Sequence, residues 1–167
     1  DDDTDRVREL YFSDGLTRRK LNQALAAGET INAFALAAAA PIVAYHPGSS
    51  GVFVASLKSG ETPRRVYGPL AAGEFVPSSL KPGFAISGDG RYVGFVISID
   101  QRPRIYLADL QPATPVVTEI PLSAPQSSTI EQPQFVGNAL HFRYARATGG
   151  TWESAIYRVS GANPTAV

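Results

Sequence analysis

The sequence predicts an all-β fold of about three four-stranded antiparallel units, and three observations support this class. Aromatic landmarks recur about every 50 residues, tight-turn signals lie inside each repeat, and apolar and polar residues alternate along the segments between turns. Repeats of roughly 40 to 50 residues that each hold several short strands are typical of β-propeller blades. We therefore expect a partial or half β-propeller.

Three copies of the repeat lie near residues 31–60, 81–111 and 132–161. Tyr11 matches a further copy of their last landmark, so we expect blades over residues 11–167 and a polar tail over residues 1–10. The three sets of landmarks are Phe34, Phe84 and Phe135, then Tyr45, Phe95 and Tyr144, and finally Phe53, Tyr106 and Tyr157.

Each copy is predicted to contain the same strands in the same order. A short run around the first aromatic residue precedes a turn, which is written "GDG" in the second copy and "GN" in the third. The next strands are "PIVAYH", "RYVGFVIS" and "LHFRYAR", followed after a polar turn by "GVFVASL", "RIYLADL" and "SAIYRVS". The linking segments "TPRRVYGPL" and "TPVVTEIPL" are predicted to supply the innermost strand of the following blade, with "RRKLNQAL" as a weaker example.

Alternation assigns faces to two of these strands. In "RIYLADL", Ile105 and Leu107 share one face and Tyr106 and Ala108 the other; in "LHFRYAR", Leu140, Phe142 and Tyr144 share one face. Residues 21–40 are rich in alanine, so a helix is the alternative prediction for this segment. Gly28, Asn32 and the repeat alignment argue against a continuous helix. We expect the alanines to mark strands that pack closely against neighbouring blades.

The segment "ISGDGRYVGFVISIDQRPRIYLADL" resembles the WD40-like repeat of the TolB type, also called the PD40 repeat. That pattern has a hydrophobic residue, Ser-Pro-Asp-Gly, a strand ending in Phe, and a strand containing Ile-Tyr. The matching residues are Ser87, Asp89, Gly90, Phe95, Ile105 and Tyr106, with Gly88 in place of the proline. The resemblance implies a propeller fold and a bacterial periplasmic setting, where TolB-type propellers occur as parts of cell-envelope complexes.

Three blades do not suffice for a closed ring, because closed propellers have about four to eight blades. Three explanations stay open: the chain is part of a larger propeller, two copies pair as a homodimer that completes a six-bladed ring, or another protein completes it. The absence of methionine indicates a processed protein or an excerpt of a longer one.

Composition excludes several classes of function. The formal net charge is zero and 18% of residues are charged, which argues against nucleic-acid binding and against an anionic membrane surface. No stretch approaches the about 18 apolar residues of a membrane span, so we expect no membrane insertion. The absence of cysteine excludes thiol catalysis and thiolate metal sites.

No catalytic, cofactor or metal site is predicted. His46 and His141 are the only histidines and lack metal-site spacing, and the sequence holds neither a GxSxG nucleophile turn nor a GxxxxGK[ST] phosphate loop. The glycine-rich stretches are better explained as hairpin turns.

The candidate partner-binding residues are basic pairs and apolar loop residues. The loop from Gly68 to Gly83 and its counterpart from Pro121 to Pro133 are expected on one face of the ring, where partners of propellers dock. We take Phe75 and Val76 as exposed apolar candidates there, and Trp152 beside its Gly-Gly turn as a third. The basic candidates are Arg64, Arg65, Arg102 and Arg104.

The most favoured function is a non-enzymatic module for protein–protein interaction or scaffolding, with a protein partner and no cofactor. One alternative is the propeller domain of a larger prolyl-oligopeptidase-like hydrolase, which a downstream α/β-hydrolase segment would reveal. Another is a lactonase-type propeller enzyme that uses a metal in its channel.

Overall fold

The computed structural model describes residues 7–77, 83–122, 128–160 and 163–166, of which residues 160 and 163–166 are described by their backbone alone. Within these ranges the chain forms fifteen strands and contains no helix, so the helical alternative for residues 21–40 is wrong. Among the same residues there is accordingly no helix able to cross a membrane.

The strands fall into one hairpin and three sheets. The N-terminal hairpin consists of β1 (Tyr11–Ser13) and β2 (Arg18–Lys20). Blade 1 has the order β3 (Ala33–Leu36), β4 (Ile42–His46), β5 (Val52–Ser56) and β6 (Arg64–Tyr67). Blade 2 contains β7 (Glu74–Phe75), β8 (Phe84–Ile86), β9 (Tyr92–Ile99), β10 (Arg102–Asp109) and β11 (Val116–Ile120), and both β7 and β8 pair with β9. Blade 3 has the order β12 (Ser128–Val136), β13 (Ala139–Thr148), β14 (Thr151–Ser160) and β15 (Asn163–Ala166).

This architecture confirms the all-β, partial-propeller prediction but corrects the strand order within a blade. The linking segments form β6 and β11, and each pairs with the strand immediately before it as the fourth strand of the same blade. The run around the first aromatic residue is therefore the first strand, not the second. A strand that follows its predecessor after a short loop pairs with it most readily, and the longer loop then crosses to the next blade.

A stacked aromatic pair joins the second and third strands of every blade. The ring centroids lie 5.5 Å apart in Tyr45–Phe53, 5.4 Å in Phe95–Tyr106 and 5.6 Å in Phe142–Tyr157. Phe142 thus takes the position that the sequence alignment gave to Tyr144. The reason is hairpin length: β13 and β14 have ten residues each, whereas β4 and β5 have five, so the interval between paired aromatic residues is not constant.

Blade 2, in the middle of the series, buries both of its apolar faces against its neighbours. In β9, Phe95 belongs to the core shared with blade 1, while Val96 belongs to the core shared with blade 3. The predicted alternation is confirmed: Tyr106 and Ala108 face blade 1, and Ile105 packs into the core shared with blade 3. The alanines of β3 pack against the first of these cores, as expected.

The N-terminal hairpin corresponds to the outer half of a blade. Phe53 on β5 pairs with the fourth strand β6, and Tyr106 on β10 pairs with the fourth strand β11. Tyr11 on β1 pairs with β2 in the same way, so β1 and β2 correspond to the third and fourth strands of a blade. The hairpin packs on blade 1 through a core that includes Leu10 and Leu21. Backbone bonds from Leu21 to Leu10 and from Ile31 to Arg8, 2.8 Å each, bring residues 8–10 of the predicted tail into the fold; residues 1–6 lie outside the described ranges.

Gly94 lets blades 2 and 3 approach each other closely. A Cβ atom built on Gly94 would lie 2.5 Å from Cδ1 and 2.8 Å from Cδ2 of Leu140, which is fully buried in the core between the blades. Because Leu140 is fully buried in a close-packed core, the absence of a side chain at residue 94 allows the two sheets to lie this close.

We expect Gly94→Ala to lower the free energy of unfolding by about 1–3 kcal/mol, because the new methyl group overpacks the core against Leu140. Gly88→Ala is the control: its Cβ would meet only Ala38, at 4.0 Å, and neither glycine has a positive φ. Urea unfolding of the two variants measures the difference. Equal stability of Gly94→Ala and Gly88→Ala would contradict this account of the blade spacing.

Candidate interaction surfaces

Arg64 joins two blades through its guanidinium group. Its Nη2 donates to the backbone carbonyl of Leu110 at 3.2 Å, and its Nη1 donates to those of Pro112 and Ala113 at 3.2 and 3.3 Å. These acceptors lie in the β10–β11 connection of blade 2. Arg64 therefore stabilises the junction of blades 1 and 2 within the chain, whereas its neighbour Arg65 is exposed and lies over the ring of Phe53, 5.4 Å from the centroid.

Arg104 and Arg102 lie at the start of β10, at the opposite end of the blades from Arg64. Arg104 forms an ion pair with Glu119, with Nη1 and Oε2 3.2 Å apart, and Arg102 is exposed. The Tyr106 hydroxyl lies 3.5 Å from the same carboxylate. Burial, together with Tyr67 and Glu119, raises the pKa of Tyr106, so its phenol stays protonated at neutral pH.

Phe75 and Val76 differ in exposure. Phe75 belongs to β7, pairs with Ser98 at the end of β9, and is half exposed. Val76 is buried in the core between blades 1 and 2, so its expected exposure is wrong. Val76 directly follows β7, which pairs with the end of β9, and side-chain alternation turns Val76 to the face opposite that of Phe75.

Trp152 lies beside the turn of the long β13–β14 hairpin and is well exposed. The β9–β10 and β13–β14 hairpins occupy equivalent positions in their blades, so Trp152 shares one rim of the array with Phe75, Arg102 and Arg104. The structure thus brings four of the seven candidates to one rim. Arg64 and Arg65 lie towards the other rim.

Trp152 also belongs to the outer face of blade 3, which sequence reasoning missed. Cross-strand pairing places Trp152 opposite Ala147 and Ile156 opposite Arg143 on this face, and Arg143 forms an ion pair with Glu131 on β12. The exposed apolar side chains of the face are Val136, Trp152 and Ile156.

Repeat equivalence shows what is unusual about Ile156. Ile156 immediately precedes the stacked Tyr157, as Val52 precedes Phe53 and Ile105 precedes Tyr106. Val52 and Ile105 are fully buried by the following blade, whereas Ile156 is 55% exposed. The sequence shows that an apolar residue recurs at this position in every repeat. Only the structure shows that, among the described residues, the one in blade 3 has no neighbouring sheet packed over it.

The opposite end of the array carries a second uncovered apolar surface. Phe34 and Leu36 of β3 lie opposite Tyr45 and Val43 of β4, on the side of blade 1 that faces the N-terminal hairpin. The hairpin packs over the β4 and β5 part of that side, and both β3 side chains are more than half exposed. The alignment placed Phe34 as a landmark but gave no sign of its exposure.

The Glu29 side chain holds the β4–β5 loop in place through hydrogen bonds. Its buried carboxylate accepts hydrogen bonds from the Ser50 amide and hydroxyl, both at 2.6 Å, from the Ser49 hydroxyl at 2.9 Å and from the Ala26 amide at 3.2 Å. Burial alone would raise the pKa of Glu29, but these donors outweigh it and hold the pKa below its ordinary value.

The two histidines have separate local contacts. Nδ1 of the buried His46 lies 3.0 Å from the Gly51 carbonyl, and burial lowers the pKa of His46 despite this contact and the nearby Glu29 charge. His141 lies on β13, with Nδ1 3.2 Å from the Ala139 carbonyl. Within the described ranges no group of three or more histidine, aspartate or glutamate side chains is close enough to hold a metal ion.

Comparison with known proteins agrees with this architecture. No protein-family model matches the chain, and no curated protein sequence matches it significantly. Among solved structures, the chain is similar to TolB from Acinetobacter baumannii, with a TM-score of 0.52 and 20% sequence identity over 92% of this chain. The match covers 35% of the TolB chain, so this chain spans about a third of that structure. The likeness shows a TolB-like propeller fold.

We expect Arg64→Ala to lower the free energy of unfolding by about 1–2 kcal/mol, because three carbonyls lose a charged donor and one of these bonds is partly buried. Arg65→Ala is the matched control and should cost about 0.5 kcal/mol, the loss of its contact with Phe53. Chemical denaturation gives both values. A larger loss in Arg65→Ala than in Arg64→Ala would contradict the role assigned to Arg64.

We expect Glu29→Gln to reduce stability most at neutral pH. The folded pKa of Glu29 lies below its ordinary 4.5, so the carboxylate stabilises the fold above that value, and this contribution is lost as the pH falls through the lowered pKa. The difference in unfolding free energy between wild type and Glu29→Gln should therefore shrink from about pH 7 to about pH 3. Exposed Glu61, as Glu61→Gln, is the control; a difference that is constant with pH would contradict the assignment.

Proposed function

We propose that the chain is a non-enzymatic protein-interaction module that binds a partner protein through the outer face of blade 3. The observation that carries the proposal is the contrast between Ile156, which is 55% exposed, and its fully buried equivalents Val52 and Ile105. In both other blades this position contacts a neighbouring sheet. The same position in blade 3 offers the same kind of contact to another polypeptide.

The chemistry of the face supports binding of protein. Trp152 and Ile156 are exposed apolar side chains, and Arg143, which forms an ion pair with Glu131, lies opposite Ile156 on the neighbouring strand. An apolar centre with tryptophan, bordered by charged side chains, is the usual composition of an interface with a few dominant residues. The shared rim with Phe75, Arg102 and Arg104 extends the surface towards blade 2.

We propose a bacterial cell-envelope setting, with a periplasmic location. The support is the resemblance of the blade 2 repeat to the TolB-type pattern, together with the TolB-like fold. The same resemblance supports a degenerate PD40 repeat.

The first partner to consider is a second copy of this chain. A ring of two copies would hold six complete blades and two N-terminal hairpins, each of which corresponds to half a blade. The ring would therefore contain more than six blade positions. This total still fits the about four to eight blades of closed propellers. Another protein that presents a sheet with apolar residues on one face is the competing partner.

We expect a photo-crosslinking amino acid at residue 156 to capture a protein in bacterial cells that express the native polypeptide, because this position contacts the partner. The matched control is residue 116, since Val116 is equally exposed but lies on the outer strand of blade 2. An adduct of two copies identifies self-association, and any other discrete adduct identifies a different protein. Absence of an adduct at residue 156, or equal labelling at both residues, would refute the proposed interface.

A further inference from the structure

We propose that the N-terminal face of blade 1 binds an antiparallel β-hairpin with small apolar side chains at alternate positions, which supplies the inner two strands of the incomplete N-terminal blade. This inference rests on the proposed role as an interaction module and specifies a second docking site. It lies at the opposite end of the array from blade 3.

Two pairs of equivalent residues reveal the incomplete blade. Phe34 and Leu36 of β3 correspond to Phe84 and Ile86 of β8, the first strand of blade 2. Phe84 is 1% exposed and Ile86 is 7% exposed, whereas Phe34 is 54% and Leu36 is 57% exposed. The side chains are alike, so the difference lies in what covers them.

Side chains of blade 1 pack over Phe84 and Ile86. They share a core with blade 1, to which the inner strands β3 and β4 contribute mainly small residues. Those residues are Ala33, Ala35, Ala44 and Ile42, together with Ala37 just after β3. The first strands β3 and β8 also lie next to each other. Small side chains on the inner strands of one blade therefore cover the large side chains on the first strand of the next.

Blade 1 receives only the outer half of such a cover. The N-terminal hairpin packs over Val43, Tyr45 and Phe53, which lie on β4 and β5. In blades 1 to 3 the third strand lies between a second and a fourth strand, but among the described residues β1 pairs with β2 alone. The place of the first two strands is beside β1 and over Phe34 and Leu36.

The occupant must be a segment other than the strands of the three blades. Each of β3 to β15 already belongs to a sheet that has its first to fourth strands. A folded second copy could not release two of its strands without opening its own blade. A separate hairpin avoids this cost, and its backbone can extend the sheet as strand addition does in other complexes.

The probe for this site is a synthetic peptide with the sequence of residues 31–46, INAFALAAAAPIVAYH, because β3 and β4 are the chain's own inner hairpin. We expect saturable binding to the 167-residue chain, measured by fluorescence anisotropy of the labelled peptide. A control peptide in which Ala35 and Ala44 are both replaced by Asp should bind at least about tenfold more weakly, since its charges would face apolar side chains.

The matched variants of the chain locate the site. Phe34→Ser combined with Leu36→Ser should weaken peptide binding at least about tenfold, whereas Val116→Ser, at an equally exposed position on β11, should leave it unchanged. Far-ultraviolet circular dichroism checks that the exposed substitutions leave the fold intact. Slower amide exchange of β1 on addition of the peptide is the independent readout.

Two outcomes would overturn the proposal. One is the absence of saturable binding up to about 1 mM peptide. The other is equal affinity of the wild-type chain and the Phe34→Ser, Leu36→Ser variant. Crosslinking at residue 156 reports on blade 3 alone, so failure of the peptide to bind is distinguishable from failure of the proposed function.

Discussion

The packing of apolar sheet faces against one another is the constraint on which the structure depends. Blade 2 buries both of its faces: Phe95 contacts the side of blade 1 and Val96 the side of blade 3. A sheet with two apolar faces has no stable surface of its own, so its stability comes from its neighbours, as in other repeat proteins. The position of a blade in the series therefore decides whether a given apolar side chain is core or surface.

Polar contacts between the blades fix how the sheets align. The Ala39 amide, in the turn after β3, donates to the Gly88 carbonyl of blade 2 at 2.7 Å. Asn138, in the corresponding turn of blade 3, contacts Asp89 and helps to lower its pKa, although Ser87 has the larger effect. Arg64 provides a similar link at the outer strands. Apolar packing alone is not directional, so such contacts set the register between blades.

The sequence predicted most of the fold because its signals are local. Period-two alternation assigned Tyr106 and Ile105 to the correct faces, and the Gly-Asp-Gly turn marked the hairpin between β8 and β9. Alternation does not say which strand pairs with which, so the linking strands β6 and β11 were assigned to the wrong blade. A fixed period also ignores hairpin length, which is why Tyr144 was taken for Phe142. The exposure of Ile156 and Phe34 depends on what lies beyond the end blades, and no local pattern records that.

The increase in strand length along the chain gives the array an uneven rim. The central hairpin has strands of five residues in blade 1, eight in blade 2 and ten in blade 3. Measured from the stacked aromatic pair, β13 continues six residues to Thr148 and β9 only four to Ile99, which is a step of about 7 Å at 3.3–3.4 Å per residue. A flat molecule approaching this rim would touch blade 3 first and tilt away from blade 1. The extra length of the β13–β14 hairpin thereby sets the angle at which a binding partner approaches the rim.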